Sequence, residues 1–374
     1  MKLAVLKEDI DIEKRVSILP SFVEKYLKLG LEVEIESGLA THLNVSDEDF
    51  IKKGAKVSKN RKDILADADI LLKVAKPKIK EISHLKKDLI LISFFDPFFE
   101  KELLEKLLSN SITSISMQLL PRTTFAQKMD ALSSQANLAG YYSVLLGSSY
   151  LKRSLPMMST PAGTIFPSKV FIVGAGVAGL QAIATAKRLG AKIEAYDTRA
   201  VVEEQIKSLG AKFFKIDLGN AESSGGYAKE LTKDLLEKQK EALKKALSTC
   251  DLIITTAQVF GKKAPIIITN DMVKEMKKGA VVVDLASSTG GNVECSEMDK
   301  VKIIDGVTIL APSNITNYIA EDASFLYSAN LFNLVEHFFD KETKKAKIDL
   351  NDEILKNSIM THQNKIISSI LKKA

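Results

Sequence analysis

The stretch from Lys169 to Arg199, KVFIVGAGVAGLQAIATAKRLGAKIEAYDTR, constrains the fold more than any other segment of the chain. An unbroken apolar run, Val170 to Val173, reads as a buried parallel strand. Gly174, Gly176 and Gly179 follow at the spacing of a strand-to-helix turn, and no proline interrupts the helix they open. A second strand, Lys192 to Tyr196, ends in Asp197, about 20 residues after the turn. Each position has a physical task. Gly174 permits the tight turn, Gly176 lets the backbone approach a pyrophosphate, and Gly179 lets the helix pack closely on the sheet. The amides at the start of the helix face phosphate charge. Asp197 can accept hydrogen bonds from ribose hydroxyls and would repel a 2′-phosphate, which favours NAD(H) over NADP(H). Thr198 comes next. Arg199 is the discordant residue, since a guanidinium welcomes that phosphate.

The same strand–helix alternation runs through the rest of the sequence. Lys2 to Leu6 and Leu31 to Ile35 flank a helical stretch, Pro20 to Lys28, that ends at Gly30. Further strands are expected at Ile70 to Val74, Asp88 to Phe95 and Ser111 to Ser116, and a helix around Asp47 to Lys53. After Lys169 the strands continue at Ala211 to Ile216, Asp251 to Thr256, Ala280 to Leu285 and Val307 to Leu310, which makes six. The chain has 374 residues, room for about two domains. The fold class is therefore α/β, with two doubly wound parallel-sheet, Rossmann-like domains joined by a long helix over 131–150. The expected domains are 1–135 completed by a returning helical tail, 320–374, and the dinucleotide-binding domain 136–319.

Composition narrows the function classes. Net charge is +6 with lysines spread along the chain and no Trp, so a nucleic-acid groove is not indicated. Two cysteines, Cys250 and Cys295, offer no metal-ligand spacing and fit a reducing compartment. No metal site is expected. The start lacks a signal peptide's apolar core, and the longest apolar run, Leu89 to Phe95, is far too short to span a bilayer. No direct membrane insertion is expected. His42, His84, His337 and His362 are scattered, and no Ser/His/Asp set or HExxH occurs. Topology places Gln258 and Ser288 beside the cleft, beyond the carboxyl ends of the strands.

A second dense stretch is Pro121 to Asn137, PRTTFAQKMDALSSQAN. Gln127, Asp130 and Ser134 fall at helical spacing and would line one helix face, with Ser133 beside it and Arg122 ahead of it. Such polar residues on an apolar helix need partners or a ligand. Oxidising an alcohol or amine needs a general base, and none stands out. Hydride exchange between two nicotinamides needs only alignment of the rings.

These motifs resemble the NAD(H)-binding first domain, the alpha or alpha-1 subunit, of proton-translocating NAD(P)+ transhydrogenase. The likeness runs from Glu13-Lys14-Arg15-Val16 to beyond Pro312. It includes PRxxxAQxMDALSSQANLAGY at 121–141, GAGVAGLQAIATAKRLGA at 174–191, GGYAKE at 225–230, GKKAPIIIT at 261–269 and VVDLASSTGGN at 282–292. The resemblance implies NAD(H) bound here and direct hydride transfer to NADP(H) held on a partner, domain III. A membrane domain II would couple this to proton translocation. It implies that Arg122, Gln127, Asp130 and Ser133 position the nicotinamide end. Val177, Ala178, Gly179, Asp197, Thr198 and Arg199 would hold pyrophosphate and ribose. Gly226 and Tyr227 would belong to a mobile loop, with Gln239 and Gln258 near the nucleotide. Phe125 stands where the family often has a second Arg, and Ser288 where an acidic residue is common. A homodimer is expected from the long apolar helix and the family. Partner subunits would hold it at the cytoplasmic face of the inner membrane.

The nearest alternative is an amino-acid dehydrogenase of the alanine dehydrogenase type. It is disfavoured because Ala75, Asp96 and Ser288 occupy the places of that family's substrate Lys, catalytic His and later acidic residue. Arg15 is then structural. A non-catalytic NAD-binding subunit would need only the glycine turn and Asp197.

Overall fold

Short β-branched runs set the strands, and glycines or capping side chains end the helices between them. The computed structural model describes residues 1–216 and 233–372. They fall into two compact units: Met1–Gln135 with Ile319–Ala374, and Ala136–Tyr318.

In the first unit, Pro20 sits in the first turn of the helix Pro20–Leu29, where its missing N–H costs nothing, and Gly30 closes the helix at φ +92°. Ser46 and Asp49 cap the short helix Asp47–Ile51 reciprocally. The sheet has eight described strands, in the order Lys365–Ile366, Ile359–His362, Thr113–Ser116, Ile90–Ser93, Ile70–Leu72, Lys2–Val5, Glu32–Glu36 and Lys56–Ser58. The last six pair in parallel. Side-chain alternation sorts the core. Leu3, Val5, Ile92 and Ile115 pack with Tyr327, Leu331 and Leu334 of the helix Ala320–Phe338. Ala4, Leu71 and Leu91 pack on the other face with Leu103 and Leu107.

The returning tail packs on this unit, but it is not helical throughout. Beyond Phe338 the chain adds the two edge strands Ile359–His362 and Lys365–Ile366, the former antiparallel to Thr113–Ser116. Gln363 and Asn364 both take positive φ, 46° and 58°, which is the tight hairpin turn that joins antiparallel strands.

The second unit carries a sheet ordered Lys212–Phe213, Lys192–Tyr196, Lys169–Val173, Leu252–Thr255, Val281–Asp284, Val307–Leu310 and Val301–Ile304. Strand order reverses between Lys169–Val173 and Leu252–Thr255, the topological switch point where ligands bind in such sheets. The six expected strands are present and pair in parallel, and a seventh that was not expected, Val301–Ile304, pairs antiparallel with Val307–Leu310. Asp305 and Gly306, at φ 50° and 83°, form the two-residue turn between them. The strand expected over 211–216 shortens to Lys212–Phe213.

The division between the units falls inside the helix Ala131–Tyr150. Within the second unit, a hairpin of Met158–Thr160 and Gly163–Ile165 has every residue exposed. No helix among the described residues is long and apolar enough to cross a membrane.

Candidate dinucleotide-binding site

Gly174 ends its strand at φ +96°, a left-handed conformation that disfavours a side chain. A Cβ there would stand 2.6 Å from Thr256 Oγ1. At Gly179 a Cβ would lie 1.8 Å from the carbonyl oxygen of Gly174, so only glycine lets the helix Val177–Arg188 start against the turn. Gly176 differs: a Cβ would meet no atom of the described residues within 4 Å beyond its chain neighbours. Packing among the described residues does not require glycine there. An approaching pyrophosphate would. No side chain caps the helix at Gly176, Val177 is exposed and Ala178 half-buried, so the first-turn amides suit an anion.

Asp197 closes the next strand and is 9 % exposed. Its Oδ2 accepts from the Ala175 N–H at 2.7 Å and from Arg199 Nη2 at 2.9 Å. Its Oδ1 accepts from the Arg199 N–H at 2.8 Å and Arg199 Nε at 2.9 Å. Burial alone would push this carboxyl up. The Arg199 guanidinium and the two backbone N–H groups overrule it and hold the group below its ordinary value. Arg199 is therefore not an independent cation at the rim. Thr198 is half-buried between them.

Gln239 donates from Nε2 to the hydroxyl of Tyr196 at 2.8 Å, beside the same strand end. Burial raises that phenol to about 12. Gln258 is exposed and donates to the carbonyl of Leu285 at 3.2 Å, tying together the loops that follow Leu252–Thr255 and Val281–Asp284. Ser288, in the turn Ser287–Thr289, belongs to the second of these. Gly226 and Tyr227 lie outside the described residues.

Two residues that hold these loops were not evident from the sequence. Asp284 is fully buried and accepts from Thr255 Oγ1, Ser296 Oγ and the N–H groups of Ala286, Asn292 and Val293. Asn292, also fully buried, accepts from the Ala257 N–H and donates to the carbonyls of Ala257 and Pro265. It splints the residue before Gln258 as a strand partner would. Their signal was a carboxylate ending an apolar strand, followed by Gly-Gly-Asn in VVDLASSTGGN.

In the first unit, the expected polar helix face is corrected. The helix begins only at Ala131, and Gln127 lies in a tight 3-10 turn, Phe125–Met129. Asp130 ends that turn and caps the helix: its carboxylate accepts from the Ser133 N–H at 2.9 Å and Ser133 Oγ at 2.6 Å. Ser134 turns away, donating to Asn330 Oδ1 at 2.7 Å. Asn330 and Asn333 both donate to the Lys128 carbonyl, so the returning helix holds the turn from beneath. Gln127 and Arg122 are exposed, and the Gln127 side-chain amide makes no hydrogen bond among the described residues.

Arg15 is structural, as expected, although its partner is Glu13 itself. The two are buried and joined at 2.6 Å, and Arg15 Nη1 donates to Gln135 Oε1. Asp96 pairs with Lys76 and accepts from Gln118 Nε2. His337 contacts Asp352 and the edge of the Phe125 ring.

Comparison with known proteins gives the family and the fold. The family described as "Alanine dehydrogenase/PNT, N-terminal domain" matches residues 4–139, and its C-terminal counterpart matches residues 143–369. An NAD(P) transhydrogenase alpha-subunit chain of Rhodospirillum rubrum is 41% identical over 379 residues, covering 99% of both chains. A transhydrogenase structure from Sinorhizobium meliloti superposes with a TM-score of 0.86 at 36% identity, covering 99% of this chain and 100% of that one. An L-alanine dehydrogenase structure, 23% identical with a TM-score of 0.81 over 100% of this chain and 98% of that one, shares the fold. The chain belongs to the alanine dehydrogenase/PNT family, and within it to the alpha subunits of NAD(P) transhydrogenase, which are oxidoreductase components.

Proposed function

We propose that this chain is the NAD(H)-binding subunit of a proton-translocating transhydrogenase, exchanging hydride directly with NADP(H) held on a partner subunit's domain III. The observation that carries the reading is the glycine turn at the switch point, where Gly176 is the one glycine of the three that packing among the described residues does not demand. A nucleotide held by that turn would supply or take up the hydride at its nicotinamide. The chain's residues bind and orient: Gly174, Gly176, Val177, Ala178 and Gly179 toward pyrophosphate, Asp197 and Thr198 toward the adenosine ribose with Arg199 docked on Asp197 beside it, and Gln239 and Gln258 at neighbouring rims. Arg122, Gln127, Asp130 and Ser133 take the nicotinamide end. Asp130 and Ser133 fix each other through the helix cap. Gln127, whose side-chain amide has no hydrogen-bond partner among the described residues, is free to contact a ligand, as is the exposed Arg122.

An amino-acid dehydrogenase needs a base and a substrate-carboxylate site. Asp96 is ion-paired, and the Arg15 guanidinium is tied to Glu13 and Gln135. Proton coupling would come through membrane domain II on a separate subunit, with this chain peripheral at the cytoplasmic face of the inner membrane. The exposed hairpin, with Met157 62% and Phe166 71% exposed beside it, supports a homodimer. A two-stranded ribbon is marginal alone, and a second copy would cover its apolar residues.

The test is direct. The purified chain should bind NADH and fail to reduce NAD+ with alanine. Mixed with an NADP(H)-binding partner, it should catalyse hydride exchange between NADPH and an NAD+ analogue. Gln127→Asn should slow exchange at least about tenfold more than it weakens NADH binding, the signature of a contact that aligns the reaction. No exchange with both nucleotides bound would overturn the reading, and alanine-dependent NADH formation would favour the dehydrogenase.

A further inference from the structure

A carboxylate offers about four acceptor positions. At Asp197 four N–H donors occupy them, one from Ala175 and three from Arg199. The carboxylate assigned to the ribose diol is therefore saturated by its own chain. Two of the four donors are backbone groups fixed by the turn. The other two, Nε and Nη2, belong to a side chain that can move, since the Arg199 side chain is 35% exposed while that of Asp197 is 7% exposed.

We propose that Arg199 is a gate on the ribose pocket: its guanidinium competes with the ribose hydroxyls for Asp197, and must swing away before NAD(H) is fully seated. The inference rests on the NAD(H) reading of this turn and deepens it. It also accounts for an Arg beside a residue that selects against a 2′-phosphate. With the guanidinium docked, Asp197 is neutralised and repels NADP(H) less. With it removed, the carboxylate stands bare and repels more. Arg199 thus trades affinity and selectivity for a pocket whose buried carboxylate is never left unpaired.

The experiment is a fluorescence or calorimetric titration of the full chain with NADH and with NADPH, on wild type, Arg199→Leu, Arg199→Gln and Asp197→Asn, each checked by thermal unfolding. An internal competitor that holds the pocket in most molecules weakens apparent affinity by the fraction it blocks. Arg199→Leu should therefore bind NADH about three- to tenfold more tightly and NADPH more weakly, so that the ratio of the two widens. Arg199→Gln, which removes the charge and the fork but keeps a polar side chain, should move both affinities in the same directions. It carries the test if the leucine variant does not fold. Unchanged or weaker NADH binding in the folded variants would overturn the gate. Asp197→Asn separates the two levels: weaker NADH binding there, without tightening in the Arg199 variants, removes the gate and leaves the ribose assignment standing. Unchanged NADH binding in Asp197→Asn removes the assignment and the gate together.

Discussion

Asp251 shows how a single carboxylate holds the second unit together at a distance from the glycine turn. It is buried, and accepts from Lys277 at 2.5 Å, Arg153 at 3.1 Å and the Lys169 N–H at 2.7 Å. Burial works to raise its pKa, but Lys277 and the Lys169 N–H outweigh it and hold the group below its ordinary value. A folded pKa below the unfolded value of about 3.9 means that the stabilisation is present above that pH and is lost as pH falls through the folded pKa. Asp251→Asn should cost roughly 2–4 kcal/mol in urea unfolding at pH 7, because two cations lose their buried partner. The gap from wild type should narrow below about pH 4. An equal gap at both pH values would contradict this account. At this scale the sequence was legible wherever chemistry follows spacing: Gly174, Gly179 and Asp197 stand where the motif puts them. Side-chain pairings were not. That Arg199 folds back on Asp197, or that Asn292 splints Ala257, depends on rotamers and on loops brought together by the sheet. The helix phase at Gln127 failed for a local reason: Asp130 is itself the cap, so the helical spacing extends on paper through the helix's own start.

Glycines at element junctions give a sharper contrast. The long helix Ala131–Tyr150 presents Gly140 to the turn end of Val177–Arg188, and a Cβ at Gly140 would lie 2.1 Å from the Ala178 carbonyl oxygen and 2.8 Å from its carbon. Backbone cannot yield as a flexible side chain can. Gly140→Ala should lower stability by at least about 1–3 kcal/mol and weaken NADH binding by shifting the turn. Gly176→Ala should leave the melting temperature unchanged, since the added methyl meets no atom of the described residues within 4 Å, and should still weaken NADH binding where a pyrophosphate would sit. A stable Gly140→Ala protein, or a Gly176→Ala protein that binds NADH as wild type does, would refute the respective claim. Helices and central strands were legible from Pro20, Gly30 and the β-branched runs. The strand Val301–Ile304 was missed although Asp305-Gly306 is a strong hairpin signal. Its Val301 and Ile303 face solvent, 52% and 72% exposed, so the segment lacks the continuous apolar character of its buried neighbours.

On the scale of the whole molecule, the first unit draws one sheet from two distant stretches of the sequence. Ile359–His362 seals the edge of Thr113–Ser116, with Thr361 Oγ1 donating to the Ile112 carbonyl and meeting Ser114 Oγ, both at 2.7 Å. Ending the chain after Phe338 should strip this strand, remove Ile354, Leu355 and Ile359 from the core, and expose an apolar edge that recruits other chains. The truncated protein should aggregate on expression, and a soluble monomer with wild-type circular dichroism would show that the edge strands are dispensable. That the tail returns was legible from its helical period. That it finishes the sheet was not, because pairing across such a span, Ile115 with Ile359, leaves no periodic trace in the sequence. The same topology orders events on the ribosome. Residues 136–318 emerge as one uninterrupted stretch and can complete their unit early, whereas the sheet begun by residues 2–116 must wait for residues 359–366 before its edge closes. Until then its unfinished edge is the portion of the nascent chain most in need of a chaperone.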